Sequence, residues 1–523
     1  MEKNRGMGHI DIKTPPESYW LASSNETNYP DLQQDMKVDA AIIGGGMTGV
    51  TSAYLLKKEG LRVAIIEAGR IGQGTSGHTT AKITSLHSLI YSKIKSYMGE
   101  EKAKQYAEAN EAAIGTISNI TKNEGIDCDF HGEPSYTFTF EDSYLQKVAD
   151  EASTAAGLGL KASFTENIPL PFKIKGAVKF DNQARFHPRK YLSALSKKIE
   201  GGGCFIFENS RVIDIEEGSP GTVITNQGKK VTADNIIIAS HFPCFDGMGF
   251  YFARMYPERS YLLALKVKEK FPGGMYVTAE NPGRSLRSQE YEDGELLLVA
   301  GEHHKTGHGT NLHKHYEKLM EFAQKHYDVQ QLLYRWSAQD YTTLDKVPYI
   351  GRLTSKTPNI YVATGFRKWG MTNSTVSAMI IKDMIVKGEN PWSDVYAPSR
   401  FVPNPSIISF ISTNADVAAN LIAGKLKPLP KNIDIGEGEA GEAEIEDCKM
   451  GVYRDNKDEL HTVDTTCTHM GCELKWNDAE KSWDCPCHGS RFTYDGEILE
   501  GPAVNKLQHD CHSKNKIEPN IID

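Results

Sequence analysis

The sequence predicts an α/β protein: a Rossmann-like dinucleotide-binding domain with an inserted strand-rich lobe, followed by a separate C-terminal domain. Three observations carry this. An apolar run at 38–43 leads directly into Gly44-Gly45-Gly46-Met47-Thr48-Gly49, then a helical stretch and a second apolar run. Two Cys-His boxes, Cys467-Thr468-His469-Met470-Gly471-Cys472 and Cys485-Pro486-Cys487-His488-Gly489-Ser490, stand close together near the C-terminus. Prolines at 398–405, and then Pro428 and Pro430, mark connections between the two regions. At 523 residues the chain should hold more than one domain.

Residues 1–35 read as an extension in which Pro15, Pro16 and Pro30 break any regular element. The run 38–43 then has the character of a buried parallel strand, 50–58 that of a helix, and 62–66 that of a second strand ending at Glu67. In this setting Gly44 makes the tight turn, Gly46 lets the backbone approach a pyrophosphate, and Gly49 packs helix on strand. Met47 and Thr48 open the helix whose N-terminus faces the phosphates, and Glu67 accepts bonds from ribose hydroxyls. FAD is favoured over NAD by the Gly/Thr-rich segment 72–82, suited to wrapping pyrophosphate and flavin, and by two resemblances. The apolar cluster 233–240 resembles the return strand of large flavoproteins. The late order Asp345 to Gly351, then Asn359 to Gly365, then Trp369-Gly370-Met371-Thr372 resembles the C-terminal flavin signature of the D-amino-acid oxidase family. No second dinucleotide fingerprint follows, so no separate NAD(P)H site is expected.

A Cys and a His from each C-terminal box match a Rieske [2Fe–2S] centre, with two thiolates on one iron and two imidazoles on the other. Cys467 and Cys485 would hold the first iron, His469 and His488 the second. Cys472 and Cys487 would then lie close enough for a disulfide. A structural zinc site from the same side chains is the alternative. Residues from about 440 to 523 resemble the Rieske domains of cytochrome bc complexes and Rieske ferredoxins, which implies an all-β fold. The resemblance assigns Ser490 a bond to a bridging sulfide and gives 501–503 the place of the shielding proline loop. Phe492 stands where high-potential members carry a Tyr, and a missing sulfur hydrogen bond implies a lowered, intermediate potential.

Residues 36–395 resemble the D-amino-acid oxidase family, which includes glycine oxidase, sarcosine oxidase and dimethylglycine dehydrogenase. That resemblance implies an FAD lobe interleaved with a mixed β substrate lobe. It places Gly365, Gly370, Met371 and Thr372 against the pyrimidine end of the flavin, with a helix at 374–386 aimed at the ring. It sets Arg211 and Val212 at the adenine side, and Thr79, Thr80 and Lys82 near the ring. His78 falls close to where some members attach FAD, but the aromatic neighbour is missing, so non-covalent FAD is expected. Lys82 is either near the flavin or a solvent-facing lysine. Arg284 and Arg287 would clamp a substrate carboxylate or lie as solvated strand residues. His303, His304 and His308 read as a loop over the flavin rather than metal ligands.

The expected domains are 1–35, an extension; 36–398, the oxidoreductase; 399–430, a linker with an amphipathic helix at 406–426; and 431–523, the Rieske domain. Residues 95–123 read as one helix or two, and the alternating acids from Glu437 to Glu446 as a solvated strand face. A net charge of −9 argues against a nucleic-acid partner. No apolar run is long enough to span a membrane, and no signal peptide or twin-Arg pair is visible, so a cytoplasmic protein is expected. Cys128, Cys204, Cys244, Cys448 and Cys511 read as single thiols.

Together these features predict an FAD-dependent dehydrogenase oxidising a small amine or amino acid, with electrons passed singly to the cluster and on to an external one-electron protein partner. A flavo-iron–sulfur electron-transfer or redox-sensing protein is the alternative, as is a reductase running from cluster to flavin.

Overall fold

The computed structural model describes residues 15–426, 428–430 and 433–509. They form two compact units. The first comprises Tyr251 and the described residues before it, Arg259–His303 and Lys314–Ile407; the second comprises Phe252–Glu258, His304–His313 and the described residues from Ile408 on.

In the first unit a parallel sheet runs Ile360–Thr364, Lys230–Ile238, Met36–Ile43, Val63–Ile66 and Phe205–Phe207, edged by the antiparallel strand Tyr349–Arg352. Its centre is apolar on both faces, as a parallel sheet under helices requires: Ala40, Ala41 and Ile42 are wholly buried. Ile42 sits opposite Ile65 on one side and Ile237 on the other. Helix Met47–Lys58 makes the crossover, and helix Gly370–Val386 packs against it. A second, nine-stranded sheet is mixed: Met275–Thr278 runs parallel to His131–Thr139 and antiparallel to Arg284–Tyr291.

Several elements differ from expectation. The extension contains a short helix, Tyr19–Ala22, because Ser18 Oγ accepts from Trp20 N at 3.3 Å and the prolines lie outside the turn. Tyr19 and Trp20 join the main core, so aromatic burial fixes the segment. Residues 1–14 lie outside the described residues. The stretch 95–123, read as one helix or two, is two, Tyr91–Met98 and Glu100–Asn123, the first starting earlier than expected and the break falling at Gly99, whose φ of 88° suits only glycine well. The flavin-side helix starts at Gly370 rather than 374, and the linker helix spans Pro403–Leu426, with proline tolerated in its first turn. No helix among the described residues is long and apolar enough to cross a membrane.

The second unit is built from two antiparallel sheets. One is Ala440–Ile445, Cys448–Arg454 and Leu460–Asp464; the other is Lys475–Asn477, Ser482–Asp484, Arg491–Thr493 and Ile498–Glu500. Of the alternating acids only Glu442 and Glu444 lie on a strand, and Glu442 is paired with Lys475 at 3.0 Å rather than left in solvent. Cys448 is not a free thiol: it is disulfide-bonded. Cys128, Cys204 and Cys244 are free, and Cys511 lies outside the described residues.

Candidate active site and cluster site

The end of strand Met36–Ile43 delivers the glycines to a tight cradle. Gly44 has φ +107°, and a Cβ there would stand 2.6 Å from Ala239 O. A Cβ at Gly49 would meet Gly44 O at 1.9 Å, so helix and strand approach as closely as only glycine allows. Glu67, just past Val63–Ile66, accepts from Gly45 N at 2.5 Å and Gly69 N at 2.7 Å. Burial raises its pKa, against the pull of those amides and of Arg211. Arg211 precedes the strand Val212–Glu216, so Val212 and Glu67 belong to one neighbourhood. Ser76 Oγ accepts from Met47 N at 3.0 Å, holding the segment 72–82 over the helix start where Thr48 is buried. A cradle closed to a Cβ at Gly44 and Gly49, a helix N-terminus and a terminal acid fit a dinucleotide.

The same segment continues through Thr79 and Thr80 to Lys82. Trp20 Nε1 donates to Thr79 O at 2.7 Å, Trp336 Nε1 to His78 O at 2.9 Å, and Ala81 takes φ 54°. His87 ties this stretch to the second flavin motif. Its Nε2 lies 2.7 Å from Thr84 O and 3.0 Å from Thr372 Oγ1, its Nδ1 lies 2.6 Å from Tyr106 OH, and its ring stacks on Trp369. Burial pushes the His87 pKa down to about 3, so the imidazole is neutral. Thr372 thus comes to the side of 79–87, its Oγ1 donating to Thr84 O at 3.0 Å, with Gly370 and Met371 just before it at the start of helix Gly370–Val386. His87 was not singled out in the sequence, since nothing in a lone His between Leu86 and Ser88 marks it.

Lys82 and Arg287 are both buried in the first unit, near enough for the charge of Arg287 to act on the lysine. Lys82, on strand Lys82–Ile83, is 6% exposed and bonds Ser285 Oγ, so it is not a solvent-facing lysine. Burial, helped by the charge of Arg287, pushes its pKa down to about 7. Arg287 is fully buried, against the reading of it as a solvated strand residue. Its Nη2 donates to Gln289 Oε1 at 2.8 Å and its guanidinium lies over Trp20 at 5.2 Å, while Nε and Nη1 meet no hydrogen-bond partner. Arg284, by contrast, is committed to Glu302 at 2.5 Å. Glu302, in spite of its burial, is held down to about 2 by His315 and Arg284. Trp20 joins the Thr79 carbonyl to Arg287; placing it needed the buried extension helix, which the prolines concealed.

In the second unit the two boxes face each other. Cys472 and Cys487 form a disulfide with S–S 2.06 Å. The thiols of Cys467 and Cys485 are free, buried and hydrogen-bonded to one another. The rings of His469 and His488 lie 5.1 Å apart and perpendicular. Burial pushes His469 down to about 4 and, with His469 adding to it, His488 down to about 3. Neutral imidazoles are the form that binds metal. Gly471 and Gly489, at φ 73° and 77°, turn each box back so that Gly471 N reaches Cys467 O and Gly489 N reaches Cys485 O. Ser490 Oγ accepts from Ala503 N at 3.0 Å, which binds the 501–503 loop to the second box, and Phe492 is fully buried beneath it. Two thiols and two neutral imidazoles on paired loops fit a [2Fe–2S] cluster. The segment carrying His304 and His308, expected over a flavin, belongs instead to this unit, where Gly307 abuts Cys485 and Pro486.

Comparison with known proteins agrees with this geometry. The family described as FAD dependent oxidoreductase matches residues 39–384, and that described as Rieske [2Fe-2S] domain matches 426–510. YhfW of Bacillus subtilis (strain 168), named as a Rieske 2Fe-2S iron-sulfur protein, is 44% identical over 497 residues, covering 95% of this chain and 98% of its own. Gamma-glutamylputrescine oxidoreductase of Escherichia coli (strain K12) is 25% identical over 425 residues, covering 74% of this chain and 93% of its own. Glycine oxidase from Geobacillus kaustophilus shares the fold at a TM-score of 0.59 with 18% identity, over 70% of this chain and 99% of that one. The chain therefore belongs to the FAD-dependent oxidoreductase family of D-amino-acid oxidase type and carries a C-terminal Rieske [2Fe–2S] domain.

Proposed function

We propose that the chain is a dehydrogenase for a small amine that carries a carboxylate, an amino acid or a close relative. The observation that carries this reading is the fully buried Arg287, with Nε and Nη1 unengaged, beside a lysine whose pKa is brought to about 7. A buried guanidinium with spare donors recognises a planar carboxylate. Lys82 Nζ, held by Ser285 Oγ, takes the proton of the substrate ammonium and leaves the amine neutral. Trp20 lies under the Arg287 guanidinium and Tyr19 stands 5.5 Å from the Tyr334 ring, both aromatics being buried, which supports a site screened from water. Bound FAD would supply a two-electron acceptor for hydride from the C–H beside nitrogen, and a bound cluster a one-electron carrier. Gly44, Gly46, Gly49 and Glu67 would hold the FAD, with Val212 at the adenine side and Thr79, Thr80, Gly365, Gly370, Met371 and Thr372 at the ring. Cys467, His469, Cys485 and His488 would hold the cluster, and an external one-electron protein would complete turnover.

Anaerobic addition of amino acids and uncharged amines to the holoprotein tests the reading. Bleaching of flavin absorbance followed by reduction of the cluster supports it. No bleaching with any amine, but rapid flavin reduction by reduced ferredoxin, would replace it with a reductase.

A further inference from the structure

The second unit includes two short segments, Phe252–Glu258 and His304–His313, that lie within the residues matched by the FAD-dependent oxidoreductase family. Their contacts are specific. Gly307 has φ +72°, and a Cβ there would stand 2.5 Å from Pro486 N and 2.8 Å from Cys485 C, so backbone lies directly on the second Cys-His box. Leu312 N donates to Asp478 Oδ1 at 2.8 Å, pinning the far end of the segment to the turn between Lys475–Asn477 and Ser482–Asp484. The Phe252 ring meets His488 edge-on at 5.8 Å. Between these fixed points Lys305 Nζ is bonded to Asp416 on helix Pro403–Leu426, and His308 Nε2 stands 3.5 Å from the same carboxylate. Lys305 is 23% exposed and Asp416 38%, so water screens the pair only in part. Lys305 stands two residues from Gly307, whose backbone lies on Pro486 between Cys485 and Cys487, so its charge is anchored beside the second box.

We propose that His304–His313 is a built-in cap on the cluster loop and that the Lys305–Asp416 pair sets the cluster's reduction potential. The inference rests on reading the two boxes as a [2Fe–2S] site. Reduction adds one electron, hence one negative charge, to whatever Cys485 and His488 hold. A cation nearby stabilises the reduced form and raises the potential; an anion does the reverse. Lys305 and Asp416 therefore act with opposite sign from one anchored position, and Gly307 keeps that position by letting the loop lie on Pro486. Both residues are positioning residues, acting through their charge on what Cys485 and His488 hold.

The test is a mediated redox titration of the full-length holoprotein, following the EPR signal of the reduced cluster, with no amine present. Lys305→Gln should lower the reduction equilibrium constant about tenfold, ~59 mV for a one-electron couple. Asp416→Asn should raise it, and Lys305→Arg should keep the wild-type value. Opposite shifts with an unchanged EPR line shape support the proposal, because a merely structural disturbance would not reverse sign between the two partners. Unchanged potentials in both variants, or shifts in the same direction, would overturn it. Zinc in place of iron in the wild-type protein would sink the cluster reading, and this inference with it, before any variant is made. That outcome is separate from failure of the amine-dehydrogenase reading, which the titration does not touch.

Discussion

A guanidinium with no exposure and two unengaged donors is expensive to keep, and Arg287 is such a group. Its place beside Lys82 makes sense if an anionic ligand completes it. Charge-assisted bonds of this kind are worth about 1.5–3 kcal/mol, so Arg287→Gln should weaken binding of a carboxylated amine by roughly 10- to 100-fold. Anaerobic titration of flavin bleaching reads the change, and an uncharged amine analogue should be left unaffected. Lys82 gives a second prediction, in pH. Burial lowers its folded pKa to about 7, so the neutral amine that accepts a proton is populated above that value. The rate of flavin reduction should therefore rise with pH through about 7, and Lys82→Met should lose that inflexion while still binding FAD. A pH profile unchanged by the substitution would remove Lys82 from the chemistry. Both residues were legible as candidates in the sequence, but their burial was not. Alternation along Arg284–Tyr291 says which residues share a face and not whether that face meets solvent. Trp20, which covers Arg287, lay hidden behind Pro15 and Pro16 in what read as a featureless arm.

At the scale of elements, the strand–glycine–helix–strand unit was readable because each residue type has a local reason to be there. Gly49 is the sharpest case. A methyl group at 1.9 Å from Gly44 O cannot be accommodated without moving helix Met47–Lys58 off the sheet. Gly49→Ala should cost about 1–3 kcal/mol and release FAD, measurable as loss of flavin on gel filtration and a lower melting temperature. Retention of FAD at wild-type stability would show that the cradle does not hold the pyrophosphate. The two Cys-His boxes were legible because they match the Rieske pattern, which names four candidate ligands, and the remaining pair, Cys472 and Cys487, is disulfide-bonded as expected. Tertiary partners were not. The fold of His304–His313 onto Pro486 depends on a contact between residues far apart in sequence, and a histidine-rich loop carries no signal of where it docks. Cys448 was misread on similar grounds, since an isolated cysteine says nothing about a distant one. The helix starting at Gly370 was placed late because Gly370 and Thr372 are poor helix formers; burial of Met371 and the bond from His87 to Thr372 override that preference.

For the whole molecule, the question is whether the Rieske domain is part of turnover or an appendage. The family to which the chain belongs is shared by oxidases and dehydrogenases, so the fold does not separate the two, and the second set of candidate ligands is what distinguishes this chain. His469 and His488 are kept neutral by burial, at about 4 and 3, across the whole physiological range. Two neutral imidazoles and two free thiols hydrogen-bonded to each other form a donor set that fits a [2Fe–2S] cluster. An oxidase that returns its electrons to oxygen at the flavin has no use for such a site. His488→Ala takes away one imidazole while leaving the residues assigned to the flavin and the substrate untouched. In that variant, amine-dependent flavin bleaching should keep its wild-type rate, while reduction of a one-electron protein acceptor such as cytochrome c should fall to background. Stopped-flow absorbance separates the two steps. Equal turnover with oxygen in wild type and variant, with no dependence on the acceptor, would make the chain an oxidase and leave the Cys-His boxes outside its catalytic cycle.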